Sequence, residues 1–250
     1  ANPFMWDGSS NIIVEFSYSN LNGSDDLEIE GENNQTNLEL HSRGDRNHIF
    51  DGANSVVAQG YKGIGGNNPR TVEAWIKTNN TEDDIISWGV NSAIFPGGKW
   101  IMRLNDQGFD LPGRLRVEVN GGQIVGQTNL ADGEWHHVAC VFDGTTLNDA
   151  ILYVDGEVET VEAGNADIDV DTYLEEGIDV QVSGGHHGRF FNGNIDDVRI
   201  WSAALTAEDI SEWKYKKLTP DHPNYGNLEL YYEFSEGTGT QTEDLSGNDR

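Results

Sequence analysis

Cysteine is nearly absent. Cys140 stands alone among 250 residues, so no disulfide can form within the chain. It lies in the apolar run His137-Val138-Ala139-Cys140-Val141-Phe142, the setting of a buried structural thiol and not of a reactive one. Basic residues are scarce too. Against 43 Asp and Glu there are 15 Lys and Arg, a formal net charge of −28. Such a chain repels phosphate backbones and anionic lipid surfaces, which argues against nucleic acid and membrane partners. No apolar run is long enough to span a bilayer, and no signal peptide opens the chain. Its start, Ala1-Asn2-Pro3, fits a mature protein or a piece of a larger one.

What is abundant points one way. There are 30 glycines against 6 prolines, with many Asn and Asp. These residues tolerate the positive φ of tight turns, so they suit many short strands joined by hairpins. Alternation with period two is visible in Thr71-Val72-Glu73-Ala74-Trp75-Ile76-Lys77, where Val72, Ala74 and Ile76 share one face. Similar runs occupy 11–18, 37–41, 99–104, 114–120, 135–142, 150–154, 178–182, 195–201 and 228–234. Turn signals separate them, among them Asn120-Gly121-Gly122, Asp143-Gly144, Asp155-Gly156, Gly184-Gly185 and Asn192-Gly193. The spacing predicts an all-β sandwich or barrel.

One helix is expected, over 206–217. Thr206 is a suitable N-cap, Asp209 stands where a capping-box acid would sit, and Leu205 and Ile210 are placed for a hydrophobic staple. Lys214, Lys216 and Lys217 suit the negative end of the helix dipole, and Pro220 follows. The ends differ from the middle. Residues 1–45 read as an N-terminal extension or appended strands, 46–217 as the principal domain, and 218–250 as a linker with a closing strand or the start of a further repeat.

Five motifs then occur in order: Phe50-Asp51-Gly52-Ala53-Asn54-Ser55-Val56-Val57, Thr71-Val72-Glu73-Ala74-Trp75-Ile76, Trp135-His136-His137-Val138-Ala139, Leu152-Tyr153-Val154-Asp155-Gly156, and Phe191-Asn192-Gly193-Asn194-Ile195-Asp196-Asp197-Val198-Arg199-Ile200-Trp201. Over roughly 48–213 this series resembles the laminin-G-like/pentraxin-like jelly roll of the concanavalin A-like lectin/glucanase superfamily. The resemblance implies a two-sheet antiparallel β-sandwich with one short C-terminal helix. It also implies a calcium ion, with Asp51 and the carbonyl of Gly52 as ligands from the early turn and Asp196, with Asp197, from the late strand. Hard cations take such oxygens; the alternative is that Asp51 makes an Asx-turn and Asp196 accepts backbone hydrogen bonds.

Sugar recognition pairs an aromatic face with a few polar groups. Trp88, Phe95, Trp100 and Phe109 lie in or beside the loops 89–98 and 105–113, and each has core packing as its alternative. Trp75, Trp135 and Trp201 are the stronger core candidates. The Gly-rich stretch Gly184-Gly185-His186-His187-Gly188-Arg189 could line a ligand site. The adjacent pairs His136-His137 and His186-His187 do not suit zinc, since neighbours in a strand point to opposite faces. Ligand contacts are therefore expected at Trp100, Phe109, His186, His187 and Arg189. Glu28, Glu30 and Glu32 alternate as a glucanase strand would, but before the recognised core, and the chain reads as non-catalytic. The expected function is calcium-dependent carbohydrate binding or adhesion, with a polysaccharide, a glycan or a cell-surface protein as partner. The chain would be a monomeric module of a larger secreted or cell-surface protein, of the kind found in bacteria. A calcium-rigidified structural or protein-interaction repeat is the alternative, and a glycoside hydrolase a weaker one.

Overall fold

The computed structural model describes residues 48–106, 110–186, 188–236 and 241–250, all within one of the two units into which the chain divides, His41–Arg250. Two antiparallel seven-stranded sheets make up this unit. The first holds β1 (His48–Asp51), β3 (Arg70–Thr78), β8 (Trp135–Phe142), β9 (Ala150–Val154), β10 (Glu157–Val158), β13 (Asn192–Trp201) and β14 (Leu228–Tyr232). Its order is β1-β13-β3-β8-β9-β10, with β14 on β13 as well. The second holds β2 (Val56–Ala58), β4 (Asp84–Gly89), β5 (Lys99–Leu104), β6 (Leu115–Val119), β7 (Gly122–Val125), β11 (Glu162–Gly164) and β12 (Val180–Val182). Its order is β11-β7-β6-β5-β4-β12-β2. The fold is the expected all-β jelly-roll sandwich.

Alternation decides which side chains fill the space between the sheets. Val72, Ala74 and Ile76 of β3, Val138, Cys140 and Phe142 of β8, and Trp100, Met102 and Leu104 of β5 all enter one buried cluster. On β13 the inward residues are Ile195, then Val198 and Ile200, a change of parity along one strand. The register shifts between Asp196 and Arg199, and Asp197 has φ +48°. This bulge adds one residue, so both halves of the strand point apolar side chains inward.

The outer face of the first sheet carries a second apolar layer. Ala139, Val141, Tyr153, Trp201 and Tyr231 pack there with Leu205, Ile210 and Leu218. The helix α1 (Ala207–Trp213) belongs to that layer. Its capping box is made as expected: Thr206 Oγ1 accepts from the Asp209 N–H at 3.1 Å, and Asp209 Oδ2 accepts from the Thr206 N–H at 3.1 Å. The helix stops before the expected end at Lys217. The Trp213 carbonyl and those of the turn after it go to side chains of the sheet: Trp75 Nε1 donates to Lys214 O at 2.8 Å, and Arg199 donates to Trp213 O and Lys216 O at 3.2 and 3.1 Å. Within the segment 218–250, β14 (Leu228–Tyr232) pairs antiparallel with β13.

Beneath the helix, Glu73 is buried among polar partners. Its Oε2 meets His137 Nε2 at 3.1 Å, and its Oε1 accepts from Trp201 Nε1 at 3.0 Å and Arg199 Nη1 at 3.4 Å. Burial opposes ionisation, but the hydrogen bond with His137, the Arg199 charge and the Trp201 bond outweigh it and hold the carboxyl down to about 2. A carboxylate with a depressed folded pKa stabilises above its unfolded value and loses that contribution as pH falls through the folded one. Glu73→Gln should lower stability at neutral pH and flatten the acid limb between pH about 4.5 and 2, read from urea midpoints across that range.

Cys140 is fully buried, and burial pushes its thiol up, far from thiolate formation. The native protein should leave a disulfide reagent such as Ellman's unreacted for hours, and react with one equivalent once unfolded.

Candidate functional site

Arg70, the first residue of β3, is fully buried, and among the described residues no carboxylate touches it. Its guanidinium is satisfied by neutral oxygens instead. Nη1 donates to Ile64 O at 3.0 Å and Thr172 Oγ1 at 2.9 Å, Nη2 to Gly66 O at 2.7 Å, and Nε to Asn68 O at 3.0 Å. It lies over two rings, 5.0 Å from Trp100 and 5.6 Å from Phe142. Burial lowers its pKa to about 10, and it remains a cation at neutral pH. One side chain thus ties the turn before β3 to the segment around Thr172, which the backbone also joins by Gly66 N–H to Thr172 O (2.8 Å) and the reverse bond (3.1 Å).

The residue after Thr172 is exposed. Tyr173 is 47% exposed and stacks on Phe95 with centroids 4.4 Å apart and planes 7° from parallel. Ile94 and Leu174, the residues next in sequence to these rings, are 78% and 36% exposed. The loop carrying Phe95 is held by buried Asn120, whose amide donates to Val90 O, Ser92 O and Phe95 O at 2.7, 3.0 and 3.0 Å. Backbone bonds lock the two loops together: Val90 N–H to Tyr173 O at 3.1 Å and Tyr173 N–H to Gly98 O at 2.9 Å. Gly97 has φ +71°, and a Cβ there would stand 2.0 Å from Asp169 O, so only glycine fits. The result is a stacked ring pair on a fixed backbone, with Tyr173 exposed and Phe95 half-buried.

A second polar site lies on the outer face of the second sheet. Here Lys99 and Arg103 alternate with the core residues of β5, and all are buried. Glu118 is the centre: its Oε1 takes Lys99 Nζ at 2.6 Å, and its Oε2 lies 2.6 Å from Arg116 Nη2 and 3.6 Å from Arg103 Nη1. Arg103 also pairs with Asp106, and with Asp84 at 3.3 Å. Burial raises the Asp84 pKa to about 7, against the opposing pull of Arg103 and Arg189. A hollow of about 310 Å³ opens at the Arg116 end, lined also by Gly121, Gly122 and Gln123.

Comparison with known proteins identifies the family. A laminin-G model described as the concanavalin A-like lectin/glucanases superfamily matches residues 50–211. The chain belongs to that superfamily. Among curated proteins none matches it. Of solved structures, a candidate carbohydrate-binding protein of Bacteroides ovatus superposes with a TM-score of 0.57 at 21% identity, over 80% of this chain and 56% of that one. The CBM40 module of the Ruminococcus gnavus IT-sialidase, bound to α2,3-sialyllactose, gives 0.50 at 12% identity, over 66% and 95%. The leech intramolecular trans-sialidase gives 0.50 at 15%, over 74% and 28%. The chain spans just over half the length of the Bacteroides ovatus protein, and at these identities the likeness is one of fold.

For this member of the superfamily, the expected calcium ligands do not converge. Asp51 faces Asn192 across the β1–β13 ladder, and Asp196 lies four residues further along β13, roughly 13 Å away. Asp51 Oδ1 accepts from Ala53 N–H at 3.0 Å, the Asx-turn alternative, and Gly52 N–H bonds to Phe191 O at 2.9 Å. Asp196 Oδ1 accepts from Asp197 N–H at 2.9 Å, while Asp197 Oδ1 accepts from Tyr231 Oη at 3.0 Å and its Oδ2 faces Arg199 at 3.6 Å. Among the described residues no three His, Cys, Asp or Glu side chains stand together as a metal-holding group.

Trp100, expected at a ligand, is fully buried between Trp88 at 6.0 Å and Phe142 at 5.8 Å. Its place inward on β5 makes it the floor beneath Arg70 and removes it from any ligand. His186 Nε2 lies 3.2 Å from Trp88 O, and Arg189 pairs with Asp106 at the second polar site. Phe109, His187, Glu28, Glu30 and Glu32 lie outside the described residues. Of the loop aromatics weighed in the sequence, Phe95 reaches the surface. Tyr173 was missed, although Asp169-Val170-Asp171-Thr172-Tyr173 alternates exposed and buried.

Arg70→Met should remove the donors for three carbonyls and one hydroxyl. The expected loss is about 3 kcal/mol, or roughly 6–12 °C in Tm, measured by thermal unfolding of the variant.

Proposed function

We propose that this chain is a carbohydrate-binding module of a secreted or cell-surface protein, with the Phe95–Tyr173 surface as its sugar-facing site. The observation that carries this reading is the parallel ring pair, Tyr173 exposed and Phe95 half-buried, on backbone-locked loops. The apolar face of a pyranose, made of C–H groups, packs on such a ring, and its rim of hydroxyls needs a few polar neighbours. A surface already ordered before binding spares the ligand the cost of ordering it. Membership of a superfamily of lectins and glucanases supports binding of sugar.

Titration of an oligosaccharide panel by calorimetry tests the reading. Tyr173→Ala and Phe95→Ala should each weaken the bound glycan at least tenfold, because each removes about 1.5 kcal/mol or more of buried ring surface. Melting temperatures should stay close to the parent's, since both rings are partly exposed. The titration is run in calcium and repeated in EDTA; loss of binding in EDTA would restore a metal to the site. Saturable binding to no member of the panel would move the assignment to a structural or protein-interaction repeat.

A further inference from the structure

The ring pair sits in a one-signed field. The stretch 165–179 carries Asp167, Asp169, Asp171, Glu175, Glu176 and Asp179, and it holds no Lys or Arg. The opposite loop, 90–98, has no charged residue at all. Between 169 and 173 the chain alternates: Val170 and Thr172 are buried, whereas Asp169, Asp171 and Tyr173 are exposed on the other side. In an extended backbone that places the Asp171 carboxylate on the same side as the Tyr173 ring, about 7 Å along the chain.

Among the described residues no Lys or Arg forms an ion pair with Asp169 or Asp171. Lys62 is taken by Glu176 and Asp179, each at 3.1 Å. Lys99, which follows the Phe95 loop, is buried against Glu118 at 2.6 Å. Arg70 is buried beneath the platform with its donors on carbonyl and hydroxyl oxygens. The carboxylates at the rim can accept hydrogen bonds from sugar hydroxyls, as binding requires, but they repel a sugar carboxylate.

We infer that the Phe95–Tyr173 site selects uncharged sugar rings and discriminates against acidic ones, with Asp169 and Asp171 as the selectivity residues. This rests on the platform being the sugar site. It sets this chain apart from the structurally similar module that holds sialyllactose, an acidic glycan. The interaction is between exposed charges, so it must weaken with salt.

The test uses matched probes on one backbone: oligogalacturonate and its fully methyl-esterified form, with neutral gluco-, xylo- and manno-oligosaccharides, sialyllactose and lactose beside them. Binding is measured at 20 mM and at 500 mM salt. Neutral probes should bind, acidic ones should bind at least tenfold more weakly at low salt, and the gap should narrow at high salt. The double variant Asp169→Asn/Asp171→Asn should improve acidic probes several-fold and leave neutral ones within about twofold. Its melting curve should match the parent's. Equal or tighter binding of acidic probes, lost in Tyr173→Ala, would overturn the selectivity and keep the platform. An unchanged preference in the double variant would overturn the role of these two residues. Binding of no probe would overturn the platform itself and the selectivity with it.

Discussion

A buried cation with no acid beside it among the described residues is the constraint on which the Phe95–Tyr173 loops depend. A guanidinium withdrawn from water must find five acceptors or lose free energy, and charge-assisted bonds are among the strongest a protein makes. Arg70 finds its acceptors in backbone carbonyls of the turn before β3 and in Thr172, with two aromatic faces below. The carbonyls belong to the turn that leads into β3 and the Thr172 hydroxyl to a segment far along the chain, so satisfying one residue ties two loops together. The outward Tyr173 is then positioned by a side chain it does not touch. The same logic runs through Asn120, whose amide gathers three carbonyls under Phe95.

The first sheet solves a related problem in the opposite way. Glu73, His137 and Arg199 form a paired network, and the helix ends where sheet side chains claim its final carbonyls. A net charge of −28 makes such pairing necessary for any acid placed under a helix. The second sheet concentrates Lys99, Arg103 and Arg116 around Glu118 for the same reason. Arg70, Lys99, Arg103, Arg116 and Arg199 are all buried, while the stretch 165–179 carries six acids and no Lys or Arg.

Most of the sandwich was legible because its strands alternate. The runs at 99–104, 135–142 and 150–154 reappear as β5, β8 and β9 with the same bounds. The helix start was legible from Thr206 and Asp209, but its end was not, since Arg199 and Trp75 decide it from the sheet. β4 and β7 carried no clear period: Ile85 and Ile86 are both buried where the register shifts, and β7 holds only four residues. The site was less legible than the fold. Trp100 and Phe95 are five residues apart in one loop-and-strand stretch, and only packing separates the inward ring from the exposed one. Tyr173 lies in an acidic stretch without strand pairing to a named neighbour, so composition hid the alternation. Asp51 and Asp196 shared a family pattern, but the four-residue offset between them exists only in the ladder.

β13 has one edge and two partners on it: β1 along its first half and β14 along its second. The earliest described strand therefore waits for one of the last, and the final strand docks beside it. Contacts of such sequence separation are slow to form, since the loop between them must be closed first. During synthesis the first sheet stays open at that edge, with β3 unpaired on one side, until nearly the whole domain has left the ribosome. The sandwich is thus a late-closing domain, whose nascent form depends on its acidic surface to stay apart from its neighbours.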